Sequence, residues 1–116
     1  MSTIIVQASV VRSEQLARRP VCSQLLGSWP TLQGETQRND VLSPTHQLNL
    51  DSCSVLIISV DKSATAIVGW VQGGVVIEFP VNQLSIISPP PGLAPYVRND
   101  GALGSADITI QTVSVR

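Results

Sequence analysis

Charge is scarce in this sequence. Only 13% of its 116 residues are Asp, Glu, Lys or Arg, against about 25% in typical soluble domains. Lysine occurs once, at Lys62. Seven cationic side chains face eight anionic ones, so the basic footprint that phosphate recognition needs is missing. Nucleic acid is therefore not an expected partner, and Arg18 with Arg19 reads as the solvated end of a short turn. Aromatics are equally few: Trp29, Trp70, Phe79 and Tyr96 complete the set. That is little material for the stacking platforms of a sugar-binding β-domain.

Histidine occurs once, at His46. With Cys22 and Cys53 it makes none of the clustered spacings of a zinc site, and no metal or cofactor is expected. The longest uncharged stretch free of proline is SATAIVGWVQGGVVI, residues 63–77. It falls short of the roughly 20 apolar residues of a membrane helix, so no membrane span is expected. The N-terminal MSTIIVQASVVR has no early positive charge and no cleavage site after an apolar run. The expectation is synthesis in the cytoplasm without a signal peptide, with both cysteines as reduced, buried thiols.

What is present is aliphatic. Hydrophobic residues make up 43% of the chain, and the mean hydropathy is +0.25. A surface so poor in charge tends to associate with itself. The length suits a single domain over 1–116. Short runs of Val, Ile and Thr, separated by Gly, Pro, Asn and Asp, predict an all-β fold. The expected form is a small antiparallel β-sandwich or β-barrel-like domain with a central meander and extended loops. The first strand is TIIVQASVVR, in which Ile4, Val6, Ala8 and Val10 share a face. One helical turn near Ser13 to Arg19 is the most helix expected. The meander is SVLIISV, ATAIVGWV and VVIEF, joined by the turns DKS and QGG. VNQLSII follows Pro80 as an edge strand, and ADITIQTVSV closes the chain. Ile4, Val6, Val55, Ile57, Val68, Trp70, Val75, Ile77, Ile108 and Ile110 are the expected core. Residues 28–47, polar and broken by Pro30, Gly34 and Pro44, read as an irregular loop or arm, with room for a small hairpin near Gln33 and Gly34.

Both faces of the meander strands are apolar, whereas a sheet with one wet face alternates. The second face therefore needs a cover: a loop, the proline segment, a ligand or another subunit. The last strand adds a phase change. Ile108 and Ile110 share a face, but the following apolar residues, Val113 and Val115, lie on the other. A bulge or a second contact surface would account for that shift.

No catalytic constellation emerges. His46 has no second group that spacing brings to it, and no Gly-x-Ser-x-Gly elbow occurs. Glu35 and Asp40 read as a solvated loop, since the Asp-rich calcium pattern is missing. The two glycines at 73 and 74 form a hairpin turn rather than a phosphate loop. The two Arg-Asn-Asp triplets, at 38–40 and 98–100, read as the same turn chemistry used twice. The segment 88–97 holds Pro89, Pro90 and Pro91, with Pro95 beyond, yet contains no Pro-x-x-Pro. It reads as a strap with little entropy to lose on folding. The function expected from all this is non-enzymatic: a structural subunit of a larger assembly, of the kind that decorates or cements a viral or phage particle. Its partners would be copies of itself or a larger protein lattice. A small-ligand-binding β-barrel is the alternative, and a hydrolase using His46 a weaker third. The candidate interface residues are Trp29, Pro89, Pro90, Pro91, Leu93, Tyr96, Val113 and Val115.

Overall fold

The computed structural model describes residues 3–14, 17–31, 33–61, 64–101 and 104–116, without the side chains of 8–24. The chain divides into two compact units, Met1–Leu32 and Gln33–Arg116. Among the described residues all regular structure is strand, ten strands in chain order, and no helix is long and apolar enough to cross a membrane.

The first unit is an antiparallel ribbon of β1 (Thr3–Glu14) and β2 (Ala17–Pro30). Register shifts fall between Val6 and Gln7 and between Val10 and Val11. The helical turn expected near residue 13 is not formed by its described residues. Ser13, Glu14, Ala17, Arg18 and Arg19 pair across the ribbon, while Gln15 and Leu16 lie outside the described set. Val6 is buried, Ile4 half-buried, and Ile5, Leu25 and Leu26 are exposed.

The second unit contains β3 (Glu35–Leu42), β4 (Gln47–Asn49), β5 (Val55–Val60), β6 (Ala66–Gln72), β7 (Val75–Val81), β8 (Leu84–Ile87), β9 (Tyr96–Asn99) and β10 (Ile108–Val115). Two four-stranded antiparallel sheets result, in the orders β3-β10-β5-β8 and β4-β9-β6-β7. Every connection crosses between the sheets except the β6–β7 hairpin. This is the connectivity of an eight-stranded jelly roll, a form of β-sandwich.

The expected three-stranded meander is not formed: only its second and third strands pair. β6 and β7 form the hairpin that Gly73 and Gly74 announce, with φ of 59° and 78°, as a two-residue type I′ turn requires. β5 does not pair with β6. Its edges go to β10 and β8, and it is apolar on both faces, with Leu56, Ile58 and Val60 in the core and Val55 and Ile57 buried on the other face. Residues 28–47 are also more regular than expected. They contain the end of β2, all of β3 and the start of β4. β3 escapes a hydrophobic reading because its residues opposite β10's core face are Thr36, Arg38 and Asp40, with only Leu42 apolar.

The core lies between the sheets. Leu56, Ile58 and Val60 of β5, Ile108 and Ile110 of β10, and Leu42 of β3 face Ala66, Val68 and Trp70 of β6, Val81 of β7 and Val97 of β9. Burial of such side chains contributes about 1.5–3 kcal/mol each. Trp70 meets Phe79 edge-to-face, with ring centroids 5.5 Å apart. Of the expected core, Val55, Ile57, Val68, Trp70, Ile108 and Ile110 are buried. Val75 and Ile77 are not: they are 61% and 36% exposed, because β7 is the last strand of its sheet.

Candidate interaction surface

The two long sides of the sandwich differ. β3 and β4 are terminal strands of their sheets and are joined by only a short turn over 43–46, so they flank one side. β7 and β8 are the opposite terminal strands, joined through Asn82 and Gln83, and flank the other.

The β3/β4 side is polar. Arg38 and Asp40 sit opposite Thr112 and Ile110, so both project from the face of β3 that looks toward the second sheet. They form an ion pair of 3.3 Å. Arg116 donates to Thr36 at 2.7 Å and lies 3.8 Å from Asp51. Asn99 ties this side down from within. Its Nδ2 donates to the carbonyls of Leu42 at 3.0 Å and Ala106 at 3.1 Å. Its Oδ1 accepts from the amide of Gly101 at 2.7 Å. Its own amide donates to the His46 carbonyl at 3.3 Å. His46 itself is an exposed turn residue, placed just ahead of β4.

The β7/β8 side is apolar. From Val71 to Tyr96 the only charged residue is Glu78. Among the described residues of Gln33–Arg116, seven large aliphatic side chains are exposed. Val41 is one. The other six, Val71, Val75, Val76, Ile77, Leu84 and Ile86, belong to the β6–β7 hairpin and β8.

Glu78 is neutralised where it stands. Gly69 lies opposite both Glu78 and Tyr96, on the sheet face that looks away from the core. A Cβ at position 69 would come within 2.7 Å of the Tyr96 hydroxyl and 2.8 Å of the Glu78 side chain. The missing side chain leaves the space through which they meet. The Tyr96 hydroxyl donates to Glu78 Oε2. Arg98 adds two bonds, Nε to Oε2 at 3.0 Å and an Nη to Oε1 at 3.2 Å, the bidentate geometry that suits a carboxylate. Arg98 first, and Tyr96 second, hold the Glu78 carboxyl below its ordinary pKa. Desolvation, followed by the bond to Glu78, raises the Tyr96 phenol.

The proline segment links β8 to β9 and so crosses from one sheet to the other. Leu93 N–H donates to the Pro90 carbonyl at 3.2 Å, and Gly92 has φ 78°, the pattern of a type II turn with Pro91 at its second position. Pro89 and Pro95 are buried, Leu93 packs on the core, and Leu50 N–H donates to the Pro95 carbonyl at 3.0 Å. The segment is a strap. Beside it, an open groove of about 370 Å³ is lined by Gln33, Cys53, Pro89, Pro91, Gly92 and Arg116. Cys53 is a free thiol, and burial pushes its pKa up. The side chain of Cys22 lies outside the described set.

The candidate interface residues do not converge on one patch. Trp29 is half-buried near the end of β2, against the backbone of Gly27. Pro89 and Val115 are buried, Pro90 and Leu93 half-buried, and Pro91 exposed. Tyr96 lies on the outer face of one sheet; Val113, half-buried, lies on the outer face of the other. The phase change in β10 needs no bulge, because its register with β3 and β5 is unbroken. Thr112 and Ser114 continue into the core and are buried. Both edges of β10 are already paired, so this strand offers no edge to a partner. Deleting residues 112–116 would remove part of a central strand rather than probe a contact. The hydrophobic signal that does mark an open side, the run from Val75 to Ile77, reads from sequence as core.

No protein-family model matches the chain, and no curated protein matches it.

Proposed function

We propose that this chain is a non-enzymatic structural subunit of a larger protein assembly, of the particle-accessory kind that decorates or cements a viral or phage shell. The observation that carries the reading is the β7/β8 side, whose one charge, Glu78, is matched by Arg98. Among the described residues of Gln33–Arg116, five of the seven exposed large aliphatic side chains lie there on the terminal strands β7 and β8, and a sixth lies near the end of β6. Exposed apolar side chains gathered along open sheet edges invite contact with a partner. Two further observations support it. A two-stranded ribbon such as Met1–Leu32 is marginal alone in water and persists by laying a face on something else. Jelly rolls build viral capsid domains, among other proteins, and this likeness is one of fold.

The test is sedimentation from the native source. The chain is expected to travel with a particle of far greater mass and to be released by dissociating it. Recovery only as free 12.3-kDa chains that bind no co-purifying particle would overturn the reading.

A further inference from the structure

We propose that a second copy of this chain pairs with the open edge of β7, antiparallel and about a two-fold axis through Ile77, joining two four-stranded sheets into one of eight. The inference rests on the assembly reading and names one of its contacts.

The hairpin geometry shows which backbone groups are free. In a two-residue hairpin the residues flanking the turn exchange both hydrogen bonds, and bonded and non-bonded pairs then alternate. Gln72 with Val75, Trp70 with Ile77 and Val68 with Phe79 are therefore the bonded pairs. Val76, Glu78 and Pro80 oppose Val71, Gly69 and Ile67 without bonding them. Their backbone groups point away from β6, to the side where the sheet ends. Pro80 has no N–H to offer and blunts the far half of the edge. Val76 and Glu78 retain both donor and acceptor.

A second β7 satisfies these groups. With Ile77 opposite Ile77 of the other copy, Val76 falls opposite Glu78 and Glu78 opposite Val76. Each such pair exchanges two hydrogen bonds, and the two isoleucines take the closely spaced non-bonded position. The operation is isologous, so it closes as a dimer. Charge permits it: Glu78 is the only ionised side chain on the strand, and Arg98 and Tyr96 already hold it. The part-exposed Val75, Val76 and Ile77 of each copy lie on the pairing strands themselves and add apolar contact to the ladder. Edges not meant to pair carry charges, Pro or inward-pointing ionised residues. β3 has its Arg38 and Asp40; the half of β7 before Pro80 has none unneutralised.

Sedimentation equilibrium of the full chain tests this, with amide exchange read at low and high protein concentration. The expected mass is twice 12.3 kDa, with the Val76 and Glu78 amides protected only at high concentration. Val76→Pro removes the outward N–H without touching the β6 ladder, and Val76→Lys adds a charge at a 59% exposed position. Either is expected to weaken dimerisation at least tenfold with the far-UV circular dichroism unchanged. Val41→Lys, 65% exposed on β3, should leave the mass unaltered. If both position-76 variants misfold, the exchange data decide alone. A dimer in which the Val76 and Glu78 amides stay unprotected would overturn the inference and leave the assembly reading standing. So would a monomer that still binds its native particle. A monomer that binds none would end both.

Discussion

The β3/β4 and β7/β8 sides belong to the same sandwich and solve the same problem differently. Every open sheet ends in strands with unpaired backbone groups. On the β3/β4 side an ion pair turned toward the interior, a network around Arg116 and the Asn99 bracket occupy the rim. On the β7/β8 side the sole charge is internally matched, and valine and isoleucine reach solvent. One side is finished against contact; the other is left available. The comparison teaches that low total charge need not mean a uniformly adhesive surface: one terminal strand carries an ion pair on its inward face, and the opposite one carries only a carboxylate that is already matched.

The sharpest way to break the contrast is to remove the bracket. Asn99→Ala leaves the carbonyls of Leu42 and Ala106 and the amide of Gly101 without a partner. Leaving buried polar groups unsatisfied costs about 1–3 kcal/mol each, so a total loss of about 3 kcal/mol is expected in urea unfolding. A loss below about 1 kcal/mol would show that water replaces the side chain. The next change converts the guarded edge into an open one. Arg38→Val with Asp40→Val should raise self-association about tenfold, equivalent to about 1.4 kcal/mol, read as mass against concentration in light scattering. Unchanged association would mean that these charges do not guard the edge.

Much of the fold was legible. β6, β7 and their turn are local, and two β-branched apolar runs on either side of a glycine pair suffice to find them. β3 was not legible, because inward-facing positions on an edge strand need not be apolar when they serve to block pairing. The placement of β5 between β10 and β8 was also hidden, since its partners lie about thirty and fifty residues away and no local signal distinguishes a crossing from a hairpin. The Glu78, Tyr96 and Arg98 cluster shares that difficulty. Only strand pairing brings its members together, and Gly69 is its one trace in the sequence. Asn99 was read as part of a turn, whereas it is the last residue of β9, and its buried bonds reach back to Leu42. Val75 and Ile77 were taken for core because nothing local separates an edge strand from a central one.

A smaller effect is expected within β10. Thr112 is 2% exposed and its hydroxyl lacks a partner. Thr112→Val keeps the shape and restores the apolar series begun by Ile108 and Ile110. Replacing the unsatisfied hydroxyl should raise stability by about 1 kcal/mol; a decrease would imply that the hydroxyl is bonded in solution. The smallest effect concerns Glu78. Its folded pKa is depressed by Arg98 and Tyr96. Its contribution is therefore present above the unfolded value of about 4.3 and lost as pH falls through the folded value. Thermal midpoints should decline slightly over that acid range, and Glu78→Gln should flatten the decline. As a solvent-screened surface cluster it carries little stability, and an equal decline in the variant would assign the effect to other carboxylates.

The position of β10 has a consequence for how the molecule is made. It is the last of the eight sandwich strands to leave the ribosome, yet it fills the gap between β3 and β5. Until it emerges, both of those strands wait with a bare edge, and the apolar VLIISV of β5 is one of them. Sheets assembled from distant segments form slowly and expose such edges meanwhile. The nascent chain is thus most prone to aggregate in the interval between the emergence of β5 and that of β10, and the longer that interval lasts, the longer the apolar edge of β5 stays bare.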